Sequence, residues 1–322
     1  MTRDAPAADA SASRSDVCAV CGSHASDLLD ANDYITGEPF VVRRCHACGF
    51  GITQNVTTTL DSYYPRRYRR YRGLTRATLK ALYAWKARRW SAGHPPGLAL
   101  DVGCGEAWML DALRRRGWTV IGCERSLESA RAAVMANDVP MFVGELDAIR
   151  AEPRVRLLIF FQVLEHLRDF RTALRHAAET LAPSGAVVVA VPNLASWQAR
   201  LFGRFWFHLD VPRHVNHFSV RSLTIAFEQA GLRVERTRFV SFEHDPFGWI
   251  QSTLNVLGFR QNLLTKWLMG MDDDAATPAT IAAMIAISLL LAVPSIMASL
   301  LSWACGAGAL IEVWGVSGSA TH

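Results

Sequence analysis

Between a short apolar run, Leu98–Val102, and a helical pattern over residues 107–116 stands the turn Gly103-Cys104-Gly105-Glu106. Glycine is required where the backbone turns sharply or must come close to a ligand, and the helix start behind it offers N–H groups to a carboxylate. The alternation of apolar strand and amphipathic helix continues downstream and sets the fold class. Residues 119–123 read as a second strand and Leu127–Asn137 as a second helix. Residues 139–143 and 157–161 are the third and fourth strands, 170–181 a helix, and 186–191 a fifth strand. Residues 220–230 form a further helix capped by Gly231, and 232–240 a sixth strand. This order specifies a doubly wound α/β sheet.

The turn carries its own chemistry. A dinucleotide-binding turn wants a third glycine at position 108, and Trp108 stands there, against a Rossmann dehydrogenase. Asp101, just before the turn, can hold a cationic or amino ligand. Twenty-one residues after Gly103, Glu124 ends the second strand, where a carboxylate accepts hydrogen bonds from both hydroxyls of a ribose.

The first fifteen residues are mostly Ala, Ser, Asp and Arg without an apolar run, so residues 1–15 read as a disordered tail and not as a secretory signal. A cytosolic start keeps the seven cysteines reduced and makes closely spaced pairs metal ligands. Cys18-Ala-Val-Cys21 and Cys45-His-Ala-Cys48 are two CxxC units, 23 residues apart, each followed by glycine. Two such turns close four thiolates around zinc at about 2.3 Å per bond and leave no open position, so the site is expected to be structural. Residues 16–55 are therefore expected to form a zinc ribbon, too small to fold without its metal.

Half of the residues are hydrophobic, enough for a sizeable core, and the net charge is +5. The charge is concentrated. From Leu60 to Ala92 ten basic residues face one acid, a net of +9 that leaves −4 for the rest. Such a patch implies an anionic neighbour, nucleic acid or a membrane face. Leu74, Leu79, Leu82, Tyr83 and Trp85 suit a basic linker helix within 60–94 with a cationic outer face. His94-Pro95-Pro96-Gly97 then breaks the chain.

From Leu98 onward the sequence resembles the class I S-adenosylmethionine-dependent methyltransferases. Val163-Leu-Glu165-His166, Leu181-Ala-Pro183-Ser-Gly185, Val191-Pro192-Asn193 and Asp210-Val-Pro212-Arg213-His214-Val-Asn-His217-Phe218-Ser219 narrow this to the quinone-biosynthesis-like subgroup, in which zinc-ribbon N-termini occur. The resemblance implies a seven-stranded methyltransferase sheet over residues 97–322. It also implies that S-adenosylmethionine is held by Asp101, Gly103 and Gly105 at its methionine end, by Glu124 at the ribose, and by Leu146 and Asp147 at the adenine. Gln162, at the end of the fourth strand, joins this set. The family usually opens that strand with an acid and follows it with a small or polar residue. Here Arg156 and Phe161-Gln162 stand instead, giving a bulkier wall near the methyl donor.

Methyl transfer needs an aligned nucleophile and a base where a proton leaves. Histidine is the natural base near neutral pH. His214, His217 and His166 are the candidates, with His208 nearby, on a long connection where the fold carries its substrate lid. Cys104 and Cys123 read as small core residues.

Residues 275–311 contain no charged side chain over 37 positions. Residues 309–316 resemble the seventh, antiparallel strand, so the chain must return to the sheet, and Pro294 is the expected bend of a hydrophobic helical hairpin inserted before that strand. Residues 243–305 are thus expected to be a membrane-interacting insertion. Contact through 279–303 and the basic helix would place the enzyme, peripheral, monotopic or hairpin-anchored, on the cytoplasmic side of a membrane. The expected acceptor is a small, lipid-like molecule. Two alternatives are a zinc-ribbon RNA methyltransferase and a noncatalytic membrane-tethered binding protein. Phe160-Phe161-Gln162-Val163 stands where enzymes acting on exocyclic base amines resemble one another in an Asn/Asp-Pro-Pro-aromatic tetrad, so nucleic acid is not favoured.

Overall fold

In a computed structural model of the chain, the described residues are 17–57, 60, 63–64, 73–146, 155–271 and 276–318. The expected tail 1–15, most arginines of the basic stretch (Arg66, Arg67, Arg69, Arg70, Arg72) and Asp147 lie outside them.

The N-terminal residues form β1 (Ser26–Asn32), β2 (Pro39–Cys45) and β3 (Gly51–Thr53), an antiparallel meander. Helix α1 (Gly73–Ser91) leads into β4 (Leu98–Val102), α2 (Trp108–Arg114), β5 (Thr119–Glu124), α3 (Leu127–Asn137) and β6 (Met141–Val143). Next come β7 (Val155–Phe161), α4 (Phe170–Thr180), β8 (Leu181–Pro192) and α5 (Trp197–Phe202). The short strand β9 (Asn216–His217) precedes α6 (Val220–Gln229) and β10 (Leu232–Arg238). The insertion carries α7 (Asp245–Val256), α8 (Leu263–Leu268) and α9 (Pro278–Ala304), and β11 (Leu310–Ser317) closes the chain.

The large sheet has seven strands in the order β10-β11-β8-β7-β4-β5-β6. β11 is antiparallel to both β8 and β10, while β8, β7, β4, β5 and β6 are parallel. Residues 157–161 of β7 and 186–191 of β8 are unbroken apolar runs, buried throughout, as in central parallel strands covered on both faces. Helix starts are chemically marked: Ser126 caps α3, Asp169 caps α4, and Ser219 with Ser222 forms a reciprocal capping box on α6. The strand order reverses between β4 and β7, and their carboxyl ends frame the crevice in which open α/β sheets bind ligands.

The cysteine-bearing segment is built into the rest of the molecule. β3 pairs antiparallel with β9, Gly51 opposite His217 and Ile52 opposite Asn216. Phe50 packs on Phe170 and Phe218 with ring centres 5.6 and 5.5 Å apart, and Cys45 and Cys48 share their core.

Two expectations are corrected. The outer face of α1 is cationic only in part: Lys86 is buried and paired with Glu243, Arg89 with Glu312, and Arg76 with Glu106 at 2.6 Å, while Arg88 stays exposed. Lys86 and Arg89 thus offset acids, Glu243 and Glu312, buried beneath the helix. The hairpin turn expected at Pro294 is absent, because α9 runs through it as a single 27-residue helix. Proline removes one intrahelical donor, a loss that can kink a helix without ending it. The return to β11 is made by the turn after Ala304, and α9 packs along α7.

Candidate active site

A cavity of about 600 Å³ lies over the carboxyl ends of β4 and β7. Its floor is the glycine turn. Gly103 has φ +68, and a Cβ there would come within 2.5 Å of the Val163 side chain, so no other residue fits. Gly105 has φ +56 and donates its N–H to Glu124 Oε1 at 2.6 Å. Asp101, buried beneath the turn, leaves Oδ1 with no partner among the described residues. Burial, with the Glu124 carboxylate nearby, pushes the Asp101 carboxyl well above the usual range. Burial also raises Glu124, and the Gly105 N–H pulls the other way. Gln162 sits at φ +58, a conformation strained for a side-chain-bearing residue, and its Nε2 lacks a partner among the described residues.

An unpartnered carboxylate, an unpartnered amide and a glycine cradle at one cavity fit the amino acid end of S-adenosylmethionine. Asp101, Gly103, Gly105 and Gln162 line the cavity; Glu124 stands behind the turn and holds it closed. Leu146 is buried in the core beside Val102 and Cys123.

The opposite walls are largely aromatic and apolar. α1 contributes Leu79, Leu82 and Tyr83, the insertion contributes Phe247 and Leu268 with Phe242 just before it, and Tyr34 reaches in from the cysteine-bearing segment. Phe161 makes edge contacts with Tyr83 and Trp90 at 5.3 and 5.9 Å, the bulky wall its position implied. Three histidines face the space: His208, His214 and His244. His214 Nδ1 lies 2.9 Å from the His208 carbonyl; a carbonyl only accepts, so Nδ1 carries the proton. Sequence reasoning missed His244, Glu243 and Tyr34. They belong to other parts of the chain, and only folding brings them to this cavity.

The other two candidate histidines are placed differently. His166 stands behind His214, ring centres 4.8 Å apart, with Nδ1 on the Arg213 carbonyl at 2.8 Å. His217 is not among the lining residues. It is buried in β9 with Nε2 2.9 Å from Thr53 Oγ1, and burial lowers it to about 3, so it stays neutral. Burial pushes Cys123 up to about 12 and raises Cys104 as well, which keeps both thiols protonated and unreactive.

Away from the cavity, the Sγ atoms of Cys18, Cys21, Cys45 and Cys48 all lie within 4.8 Å of one another. Cys18–Cys48 and Cys21–Cys45 are 3.6 Å apart, close to the edge of a tetrahedron of thiolates bonded at about 2.3 Å. Gly22 and Gly49 follow the two pairs at φ +74 and +73, which lets each turn close.

A seven-stranded sheet of this order, with a glycine cradle at its switch point, defines the class I S-adenosylmethionine-dependent methyltransferases. The chain belongs to the methyltransferase-domain family, which it matches over residues 67–237. Among curated relatives it is 29% identical over 105 residues to the ubiquinone biosynthesis O-methyltransferase of Bradyrhizobium diazoefficiens, covering 31% of this chain and 41% of that one. It is 30% identical over 105 residues to the protein of the same description from Rhodopseudomonas palustris, again 31% and 41%. The match thus spans less than half the length of these relatives. Among solved structures, a chain of the complex between the Haloferax volcanii Trm112 methyltransferase activator and a methyltransferase superposes with a TM-score of 0.51 at 15% identity, covering 82% of this chain and 97% of that one.

Proposed function

We propose that this protein transfers the methyl group of S-adenosylmethionine to a small, lipid-soluble acceptor at the cytoplasmic face of a membrane. The observation that carries this reading is the single cavity that joins the glycine cradle to three histidines and an apolar wall. Bound S-adenosylmethionine supplies a methyl group on a sulfonium that needs no further activation. Asp101 faces its amino end, the turn 103–105 admits its backbone, and Glu124 holds the ribose once it exchanges the Gly105 N–H for hydroxyls. His208 and His214 face the acceptor, orient it and take its proton. Phe161, Phe247 and Leu268 exclude water and suit a prenylated or polyketide-like ring over a sugar or a base.

In the same reading, residues 16–55 are a ribbon holding one structural zinc through Cys18, Cys21, Cys45 and Cys48. Residues 97–322 are the methyltransferase unit, with 243–305 its membrane-facing insertion. Among the described residues, α9 is the helix long and apolar enough to cross a bilayer by length and composition. Its exposed side is a continuous stripe of Leu289, Leu290, Val293, Met297, Leu300 and Leu301, and its Ser295, Ser299 and Ser302 are buried. With the exposed Ala279, Ala282, Ala283 and Ala286 ahead of it, the stripe is about 33 Å long, comparable to the roughly 30 Å hydrocarbon core. Both ends of α9 lead back into the protein, so it lies along one leaflet, with the acceptor cavity beside it.

Incubating the protein with methyl-labelled S-adenosylmethionine and a bacterial lipid extract tests the reaction. Label is expected in an organic-soluble product, and His208→Asn and His214→Asn are each expected to lower turnover by about 10² with cofactor affinity unchanged. Asp101→Asn is expected to lose cofactor binding in calorimetry. No calorimetric binding of S-adenosylmethionine by the native chain would reject the enzyme in favour of a binding protein. For the membrane, Leu290→Asp with Val293→Asp is expected to abolish flotation with anionic vesicles, and high salt is not. Flotation unchanged in that variant would reject insertion by α9.

A further inference from the structure

We propose that Arg89, Arg236 and Arg238 form a binding site for a tetrahedral oxyanion of the phosphate class, where α1 crosses the outer strands of the large sheet. The site stands apart from the glycine cradle and does not depend on the methyl-transfer reading. β10 is an edge strand, and Arg236 stands opposite Trp314 and Arg238 opposite Glu312 of β11. Cross-strand partners share a face of the sheet. α1 lies on this one: Trp90 packs on Trp314 with ring centres 6.1 Å apart, and Arg89 is paired with Glu312. Three guanidinium groups, from two elements far apart in the chain, are thus brought to one face.

The acids on that face are already engaged. Glu312 divides its two oxygens between Arg89 and the Trp314 indole N–H, the latter at 2.9 Å. Glu235, the other carboxylate close to Arg236, pairs with Arg233 at 3.4 Å. The Arg236 guanidinium lies over the Trp314 ring, 4.1 Å from its centre, a contact that uses none of its five N–H donors. Among the described residues the Arg236 and Arg238 side chains make no hydrogen bond or ion pair, and both Arg236 Nε and Arg89 Nε are buried without an acceptor. Buried donors in folded proteins find their acceptor in the protein, in water or in an ion.

Water would satisfy those two donors and leave the excess charge in place. That excess is felt by its neighbours: burial pushes Arg89 and Arg236 down, and Arg238 adds to the fall in both. His94, stacked on the same indole, is lowered by burial and by Arg236. An oxyanion answers both needs, since guanidinium groups pair their N–H donors with phosphate oxygens. Arg89 also lies over Trp85, 4.8 Å from the ring centre, and Trp85, Phe242 and Trp303 follow one another in edge contacts at 5.4 and 5.0 Å. Trp303 belongs to the last turn of α9, so the phosphate can come from solution or from a lipid headgroup.

Calorimetric titration of the full chain with inorganic phosphate, at an ionic strength held constant with chloride, tests the site. One phosphate per chain is expected. Affinity is expected to be at least about 10-fold weaker in Arg236→Gln and in Arg238→Gln, and unchanged in Arg88→Gln, an exposed cation of α1 outside the cluster. Circular dichroism establishes that each variant is folded. No saturable binding by the native chain, or unchanged affinity in both folded cluster variants, would overturn the proposal. Equal weakening in Arg88→Gln would reduce the effect to general attraction and overturn it as well. Flotation with phosphatidylglycerol vesicles then separates the sources. Given lost phosphate binding, a double variant of Arg236→Gln and Arg238→Gln that floats less than Arg88→Gln assigns the site to a headgroup, and one that floats equally assigns it to free phosphate; both uphold it.

Discussion

Lys86 shows how a single residue can be legible as a charge and illegible as a partner. Its position among ten basic residues marks it as one of a solvated patch, yet in the fold its ammonium is buried, paired with Glu243 and 4.3 Å from the centre of the Phe161 ring. Burial alone would raise the Glu243 carboxyl; the charges of Lys86 and His244 outweigh it and bring it to about 2. Lys86→Met keeps the shape and strands a buried carboxylate, which is expected to cost about 3–5 kcal/mol in urea denaturation. The double variant Lys86→Met with Glu243→Gln is expected to recover most of that loss, as no isolated charge is then left inside.

At the scale of elements, Asp245 is the clasp between the insertion and the sheet. It opens α7 and its Oδ2 accepts from the Trp303 indole at the end of α9 and from the Ala309 N–H, at 3.1 Å, just ahead of β11. Burial raises Asp245 to about 7 against the pull of those hydrogen bonds. Its ordinary value is 3.8, so the folded state binds the proton more tightly than the unfolded chain. The stability it contributes is therefore full below about pH 4 and is lost as pH rises toward 7. Thermal denaturation across that range is expected to show a falling midpoint whose slope is reduced in Asp245→Asn. An identical slope in the variant would place the titration elsewhere. The serine side of α9, Ser295, Ser299 and Ser302, was also invisible as an interface, since small polar residues in an apolar run read simply as tolerated.

Across the whole molecule, the cysteine segment and the sheet behave as one body. β3 extends onto β9, Asp33 forms a buried ion pair with Arg213 at 2.8 Å, and Thr53 donates to the His214 carbonyl at 2.6 Å. Each of these reaches the connection that carries the cavity histidines. If the four cysteines hold zinc as proposed, a strong chelator is expected to lower the thermal midpoint of the entire chain in one transition, because the cysteine segment shares its core with Phe170 and Phe218. Two separated transitions in calorimetry would show that the cysteine segment melts alone.

The local sequence determined what depends on local physics. Periodicity gave the order of strands and helices, glycine at positions 103 and 105 gave the turn, and the CxxC spacing gave the four-sulfur cluster, each within a few residues of where it stands. Some facts needed the tertiary structure. Lys86 and Arg89 turn inward because their acids, Glu243 and Glu312, sit on segments more than 150 residues away. His217 leaves the cavity because β9 pairs with β3, and His244 enters it because the start of α7 packs against Phe161 at the end of β7. Pairing of this kind is decided by which buried surfaces and charges meet, and no stretch of chain carries that information about a partner so distant in sequence.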